Sequence, residues 1–266
     1  MNRRPAPVAL ITNDDGIDAD GLRWLALAAR DAGFAPVIAA PLTESSGIGA
    51  GLRAAEEGGR ILVEQRVLDG LDGVPTFAVA ATPAYIALLG SRGAFGAEPE
   101  VLLSGINHGP NTGRALLHSG TAGAAMTAIS DGLRAMAFSL DFGWRDDAAP
   151  RWDTAVRVAT TLLDLVRTLP PGSMLNVNVP NVPMADVRGV RRATLAEFGA
   201  VQMTMLEQGE GYVRMSLSES GAELHPGSDE GLLEQGYVTV TPLRPLAAAD
   251  DVRLHDLPDL DTGRLP

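Results

Sequence analysis

The chain has 266 residues, 45% of them hydrophobic, which is enough to build one large domain or two small ones. Its formal net charge is −12, and every basic residue other than histidine is arginine, so a nucleic-acid polymer is not an expected partner. The lack of lysine excludes P-loop and Schiff-base chemistry, and the lack of cysteine excludes disulfides, thiol nucleophiles and thiolate metal sites.

The N-terminal part of the sequence predicts a β-α-β unit. Val8–Thr12 is a short apolar run with β-branched residues, typical of a strand buried on both faces. Residues 21–34 have apolar side chains at helical spacing, with Gly33 placed to end the helix, and "PVIAAP" at 36–41 supplies a second strand. This order closes within about 35 residues and implies parallel strands joined by a right-handed crossover.

Strands and helices continue to alternate as far as Pro180. Apolar or alternating runs predict strands at 60–68, 76–81, 100–105, 134–141 and 173–180. Helical spacing predicts a helix that starts at Thr82–Pro83 and two more at 121–129 and 154–169. The fold class that follows is α/β, with a doubly wound, mostly parallel sheet between two helical layers.

After Pro180 the pattern changes to short β-like pieces, which we interpret as hairpins, at 187–195, 202–207, 212–218 and 236–243. Such hairpins either fold back on the chain's own sheet or pair with another subunit, and their exposed edges favour at least a dimer. We expect a single domain over 1–266, with a core at 7–180, a hairpin extension at 181–246 and an acidic tail at 247–266.

The N-terminus is basic, but the apolar run after it stops at Ile11, so we interpret this run as a strand and not as a signal peptide. No stretch approaches the roughly 18 uninterrupted apolar residues that a membrane span needs. We therefore expect a soluble, cytoplasmic protein without a membrane partner.

Two adjacent acids, Asp14 and Asp15, follow the first buried strand, and their mutual repulsion calls for compensation. Ligands of an open parallel sheet bind beyond the carboxyl ends of its strands, and three polar clusters fall there, at 13–16, 43–47 and 104–113. Together they offer carboxylate, hydroxyl and amide oxygens, the ligands that Mg²⁺ and Mn²⁺ prefer. The alternative is that the two acids only cap the following helix.

The third cluster, "SGINHGPNTG" at 104–113, is rich in glycine and asparagine and is typical of an anion cradle. Ser119, Gly120 and Thr121 then start an Ala-rich helix, whose free N–H groups favour a phosphate. The alternative is an ordinary loop with a Ser/Thr helix cap. A metal site beside a phosphate cradle indicates hydrolysis of a phosphoester by water.

Two of the four histidines, His108 and His118, lie in or beside this cradle and could contact phosphate or protonate a leaving oxygen. No two histidines stand at zinc-motif spacing, and we interpret His225 and His255 as polar loop residues. We assign none of the four as a metal ligand.

Two long motifs resemble those of the SurE family, the survival-protein-E nucleotidases and phosphatases. "ITNDDGIDADGL" is similar to the family's opening signature, and "SGINHGPNTG" followed by "HSGTAGAAM" is similar to its central one. The segments "TESSG", "NVNVP" and "HPGSDEGLLEQGYVTVTPL" also match in order, so the resemblance runs from Val8 to Leu243. It implies a metal-dependent phosphatase of nucleoside monophosphates, with a Rossmann-like α/β fold and a C-terminal extension exchanged within a homodimer or homotetramer.

The resemblance also implies one divalent ion per subunit, Mg²⁺ or Mn²⁺, held by Asp14, Asp15, Ser46 and Asn107. Ser45 is the less suitable hydroxyl, because the family's ligand directly precedes the glycine. For catalysis on a small phosphate monoester we predict Asp14, Asp15 and Asn107, with Asp14 as the acceptor of the proton from the attacking water. The residues predicted to bind substrate phosphate are Asn13, Gly105, Asn111, Ser119, Gly120 and Thr121.

Three departures from the family's pattern bear on substrate choice: the acids of 18–20, His118, and the segment 81–85. They keep open a phosphatase dedicated to a phosphorylated biosynthetic intermediate, and a non-catalytic nucleotide- or metal-binding module. A covalent aspartyl-phosphate on Asp14 is a further alternative, although such enzymes usually pair this chemistry with a lysine.

Overall fold

The structure is a computed structural model and describes residues 5–142, 149–197, 201–209, 212–219, 224–244, 246–248 and 251. Its strands are β1 (Val8–Thr12), β2 (Ala35–Pro41), β3 (Glu56–Glu57), β4 (Arg60–Ile61), β5 (Val63–Gln65), β6 (Thr76–Val79), β7 (Val101–His108), β8 (Arg134–Asp141), β9 (Ser173–Pro180), β10 (Val190–Arg192), β11 (Val201–Gly209), β12 (Tyr212–Glu219) and β13 (Val238–Leu243). The α-helices are α1 (Asp20–Asp31), α2 (Pro83–Gly90), α3 (Gly120–Ser130), α4 (Trp152–Thr168) and α5 (Asp229–Glu234). Short 3-10 helices cover Gly113–His118 and Met184–Asp186.

Nine strands form the central sheet, in the order β10-β13-β9-β8-β7-β1-β2-β6-β5. Strand β13 runs antiparallel to β9, and β5 runs antiparallel to β6, whereas the other neighbours are parallel. Two small two-stranded pieces, β3 with β4 and β11 with β12, lie outside this sheet. The predicted mostly parallel α/β fold is confirmed.

Helices cover both faces of the sheet because its central strands are apolar on both sides. In β1, Ala9 and Ile11 belong to the hydrophobic cluster that contains residues of α1 and α4, whereas Leu10 belongs to the cluster of α2 and α3. Successive side chains of a strand point to opposite faces, so these clusters are the two layers of the core. The predicted three-layer arrangement is therefore present.

The strand order reverses beside β1. From β1 the chain moves outward through α1 to β2 and β6, and then returns through α2 to β7 on the other side of β1. Connections that leave β1 and β7 in opposite directions open a crevice at their carboxyl ends. This crevice is where Asp14, Asp15 and Asn107 lie.

Strand β7 is longer than predicted. The sequence prediction ended it at Gly105, but pairing with β8 resumes at Asn107 and His108 after a register shift that follows Ser104. Gly105 has a φ of +121°, a backbone conformation that favours glycine. The interpretation of the residues that follow Gly105 as loop is therefore wrong as far as His108, because the neighbouring strand supplies main-chain partners there.

The C-terminal segments differ from the predicted hairpins. Only β11 and β12 form one, whereas β13 pairs with β9 in the main sheet and β10 adds to β13 in parallel. The hairpin interpretation of 187–195 and 236–243 is therefore wrong, because the open edge of β9 supplies partners for β13. Exchange of β11 and β12 between subunits, and the homodimer or homotetramer it implies, stay predictions.

Other predicted boundaries were close to those observed. The three helices predicted at 21–34, 121–129 and 154–169 are present, whereas the single strand predicted at 60–68 is divided into β4 and β5. The predicted acidic tail lies outside the described residues except for 247–248 and 251. No helix in the described part of the chain is long and apolar enough to cross a membrane.

Candidate functional site

A cavity of about 840 Å³ lies at the carboxyl ends of the central strands. Its walls come from the segments that follow β1 and β2, from the end of β7, and from the segment that precedes α3. Four predicted metal ligands line it together: Asp14, Asp15, Ser46 and Asn107. The fold thus joins three polar clusters that are far apart in the sequence.

Asp14 is buried and lies against the N-terminus of α3. Its carboxylate accepts a hydrogen bond of 2.5 Å from the hydroxyl of Thr121, and the main chain of Gly120 and Thr121 also donates to it. Burial raises the pKa of the Asp14 carboxyl, and these hydrogen bonds oppose the rise. A helix N-terminus stabilises negative charge, so α3 holds this carboxylate in place.

Asp15 is partly buried beside Asp14. Burial is the main cause that raises the pKa of its carboxyl to about 7, and the charge of Asp14 and then of Glu44 adds to it. A hydrogen bond with the main chain of His108 opposes the rise. The Oδ2 atom of Asp15 is buried and has no hydrogen-bond partner among the described residues.

Ser46 and Asn107 have their hydrogens directed to other acceptors, which leaves oxygen lone pairs for a ligand. The hydroxyl of Ser46 donates to Oε1 of Glu44 at 2.8 Å. The amide nitrogen of Asn107 donates to the main-chain oxygen of Gly109 at 2.8 Å. An amide anchored by its nitrogen presents its oxygen, and a hydroxyl that donates its hydrogen still accepts.

These four side chains fit a hard divalent cation. A buried, unpartnered carboxylate oxygen next to a second carboxylate is costly unless a positive charge offsets it. In the part of the chain that the structure describes, no group of three or more His, Cys, Asp or Glu side chains is arranged to hold a metal ion. A site here would therefore need the hydroxyl and amide oxygens as well as the two carboxylates.

Hydrogen bonds shape the loop that follows β1 and join it to the loop that follows β2. The side-chain nitrogen of Asn13 donates to the carbonyl of Gly16 at 2.9 Å and closes the turn that contains both acids. Gly16 has a φ of +100°, which allows the chain to turn beside the second loop. The N–H of Ser45 donates to the carbonyl of Asp14 at 2.8 Å, so the loop of Ser46 is tied to the acidic pair.

The predicted phosphate-binding residues fall into two groups. Asn111 and Ser119 line the cavity, and the Ser119 hydroxyl also caps α3 by accepting from the N–H of Ala122. The others lie outside its described lining: Asn13 closes the first turn, Gly105 lies within β7, and Gly120 and Thr121 contact Asp14. Phosphate contact by any of the six stays a prediction.

The sequence interpretation missed three kinds of support for the site. Glu44 accepts from Ser46, Asn178 contacts the main chain of Asn111, and Asp229 accepts from the N–H groups of Gly113 and Ala196. For Asn178 a signal existed, since "NVNVP" places two asparagines on one face of an otherwise apolar strand. Nothing local marked Asp229, because its partners come from distant segments.

The three departures from the family's sequence pattern lie in different parts of the structure. His118 and Asp18 line the cavity, but the segment 81–85 is not among its lining residues. The ring of His108 packs against Trp152 and Phe142, with centroid distances of 5.1 and 6.0 Å. Two of the three departures therefore face the space that a substrate would fill.

Of the two histidines that lie neither in nor beside the glycine- and asparagine-rich segment, His225 is exposed and His255 lies outside the described residues.

The raised pKa of Asp15 predicts how the stability of the metal-free protein depends on pH. The folded carboxyl binds its proton up to about pH 7, whereas its unfolded counterpart loses it near 3.8, so stability falls as the pH rises through 7. Between pH 6 and pH 8 this loss is on the order of 1 kcal/mol, or roughly 2–4 °C in Tm. Asp14 acts in the same direction.

Thermal unfolding of chelator-treated protein checks this expectation. The Tm should be lower at pH 8 than at pH 6, and the difference should shrink when Mn²⁺ is added, because a bound cation offsets the two charges. The variant Asp15→Asn serves as the control and should lose most of the pH dependence. A Tm that rises from pH 6 to pH 8 in the absence of metal would contradict it.

Fold and site together define a doubly wound α/β protein whose topological switch point carries a cavity lined by two carboxylates, a hydroxyl and an amide. The family model described as Survival protein SurE matches residues 9–201. A protein named 5'-nucleotidase SurE from Chelativorans sp. is 31% identical over 250 residues, covering 92% of this chain and 96% of its own. The chain belongs to the SurE family.

Two further relatives agree with this membership. A protein named 5'-nucleotidase SurE from Rubrobacter xylanophilus is 32% identical over 266 residues, covering 96% of this chain and 98% of its own. The crystal structure of SurE protein from Aquifex aeolicus has a TM-score of 0.74 to this structure at 28% identity, covering 92% of this chain and 96% of its own. Similarity therefore extends over nearly the whole length.

Proposed function

We propose that this protein is a phosphomonoesterase that depends on one divalent cation per subunit, Mg²⁺ or Mn²⁺, and hydrolyses nucleoside monophosphates. The observation that carries the proposal is the convergence of Asp14, Asp15, Ser46 and Asn107 in one cavity beside the glycine- and asparagine-rich segment. The name 5'-nucleotidase SurE, given to the relatives from Chelativorans and Rubrobacter, supports the nucleotide part.

Each of the four ligands has a distinct local support. Asp14 is held by the N-terminus of α3, Ser46 by Glu44, and Asn107 by the carbonyl of Gly109. Asp15 keeps one buried oxygen without a partner among the described residues. When bound there, a divalent cation would act as a Lewis acid that polarises a phosphoryl oxygen and lowers the pKa of an attacking water.

The chain's own residues then position the phosphate and move one proton. Asn111 has two amide hydrogens and uses one of them on Ser139, which leaves the other for a phosphoryl oxygen. Asp14, which lines the cavity, accepts the proton of the attacking water. The water attacks phosphorus directly, without a covalent intermediate on the protein.

Phosphate release from a panel of nucleoside monophosphates, sugar phosphates and small phosphoesters tests the proposal. We expect release from nucleoside monophosphates with Mg²⁺ or Mn²⁺, loss of activity with a chelator, and recovery when the metal is restored. A phosphodiester is the control and should not be cleaved. No release from any monoester would refute the activity, and stronger release from another class would refute the nucleotide assignment.

Rapid acid quenching with a monoester that carries a radiolabelled phosphoryl group tests the direct attack. The label should appear in free phosphate and not on the protein. Labelled phosphate bound covalently to Asp14 would instead show an aspartyl-phosphate.

A further inference from the structure

Behind the segment that carries Asn111, the central sheet has a buried patch of polar side chains. Ser139 on β8, Asn178 on β9 and Thr239 on β13 are neighbours in register, and Asn176 lies on the same face of β9. All four have 0% of their surface exposed. Buried amides are unfavourable unless they form hydrogen bonds, so the partners of the two asparagines show what they do.

Both asparagines bind the main chain of a single residue, Asn111. The Oδ1 atom of Asn178 accepts from the N–H of Asn111 at 2.8 Å, and its Nδ2 atom donates to the carbonyl of Asn111 at 3.0 Å. The Nδ2 atom of Asn176 donates to the same carbonyl at 2.8 Å. Because Asn178 meets one donor and one acceptor of the same residue, only one orientation of its amide satisfies both.

The side chain of Asn111 is held from the same patch. Its amide nitrogen donates to the hydroxyl of Ser139 at 2.8 Å. The N–H, the carbonyl and the side chain of Asn111 therefore all contact residues of β8 and β9, while Asn111 also lines the cavity. One amide hydrogen remains, and its direction is fixed by these contacts.

We propose that Asn178 is a positioning residue that aligns Asn111 for phosphate, an inference that rests on the proposed function. A valine or leucine at position 178 would satisfy the buried strand as well, as the apolar residues Val177 and Val179 on either side do. The amide of Asn178 instead forms hydrogen bonds with the main chain of Asn111. It acts on phosphate through Asn111 and does not touch the metal ligands.

The variant Asn178→Leu tests this role with little change of volume. It removes both the group that donates to the carbonyl of Asn111 and the group that accepts from its N–H, so the main chain of Asn111 loses both contacts and is displaced. Calorimetry with inorganic phosphate, at saturating Mn²⁺, measures the effect without turnover. We expect the Kd for phosphate to rise about tenfold or more, while the Kd for Mn²⁺ stays unchanged. In turnover, KM should rise more than kcat falls.

The control is Thr239→Val, which removes a buried hydroxyl from the same patch. That hydroxyl has no hydrogen-bond partner in the described part of the chain, so phosphate binding should stay as in the wild type. If Asn178→Leu does not fold, Ser139→Ala takes its place, because it removes the hydroxyl that accepts from the side chain of Asn111. A severalfold rise in the phosphate Kd of Ser139→Ala supports the inference in that case.

The outcomes separate this inference from the proposed function. An active wild type whose folded Asn178→Leu variant binds phosphate normally overturns the role of Asn178 and leaves the function standing. A wild type that binds phosphate without hydrolysing any monoester refutes the function, while weaker phosphate binding by the variant still supports the positioning role. Equal loss of phosphate and Mn²⁺ binding would show general damage to the site and overturn the inference.

Discussion

Replacement of Asp15 by asparagine is expected to lower metal-dependent phosphate release on the order of a thousandfold, because a cation loses one of its two carboxylates. Asp15 has a buried oxygen that no group among the described residues satisfies, and its charge lies beside that of Asp14. Asparagine keeps the shape and removes the charge. The rate of phosphate release should fall, and the Kd for Mn²⁺ should rise.

The same substitution should stabilise the metal-free protein. The substitution removes a carboxyl whose pKa is raised by burial and by the charge of Asp14, and so relieves both the desolvation and the repulsion at this position. We therefore expect a higher Tm for Asp15→Asn than for the wild type at pH 8 with a chelator present. Lower activity together with higher stability identifies a group that serves function, since replacing a merely structural residue would lower both the activity and the stability of the protein.

Asp18→Asn is the matched control for this experiment. Asp18 lies three positions further along, lines the same cavity and is exposed, so the variant makes the same chemical change without touching the four ligands. Its affinity for Mn²⁺ should remain near that of the wild type. A folded Asp15→Asn variant with normal Mn²⁺-dependent activity would contradict the proposed metal site.

The second large effect is expected from Gly120→Ala. Alanine normally favours a helix over glycine by about 1 kcal/mol. Here, however, a Cβ at position 120 would lie 2.7 Å from both Cβ and Oδ2 of Asp14. The variant should displace Asp14 from the N-terminus of α3, and we expect a fall in activity of about a hundredfold with weaker Mn²⁺ binding.

Gly227→Ala provides the comparison for Gly120→Ala. A Cβ at position 227 would meet only the ring of His225, at an ordinary distance of 3.6 Å, and the position is remote from the cavity lining. Activity and Mn²⁺ binding should be unaffected there. Retention of both in Gly120→Ala would mean that Asp14 needs no close contact with the N-terminus of α3.

These two experiments address the central arrangement of the site, in which a helix holds one carboxylate and leaves its neighbour to a ligand. The carboxylate of Asp14 accepts hydrogen bonds from α3. For Asp15, the contact that lowers the pKa of its carboxyl is a hydrogen bond with the main chain of His108. The alternative interpretation, in which the two acids only cap the following helix, is wrong for Asp14, because its carboxylate accepts hydrogen bonds from the N-terminus of α3 and not from α1. The metal-site interpretation stays a prediction.

Much of the fold could be predicted from the sequence, because local patterns record it. Strand β1 is apolar on both faces, so the sequence alone required a buried parallel strand, and the segment after it then had to lie at the ligand-binding edge. The same reasoning placed the polar clusters 43–47 and 104–113, which contain Ser46 and Asn107, at that edge. The extent of β7 beyond Gly105 could not be predicted, since it depends on the partner that β8 provides.

What the sequence determined by itself is the alternation of strands and helices and the oxygen-rich edge that results, because periodicity and strand ends are local properties. Only the tertiary structure decided which group supports which. Thr121 and Asp14 are 107 positions apart, and Asn111 and Asn178 are 67 apart, yet each pair is joined by hydrogen bonds. A hydrogen bond depends on a distance and an angle set by the packing of whole elements, and no local pattern encodes these.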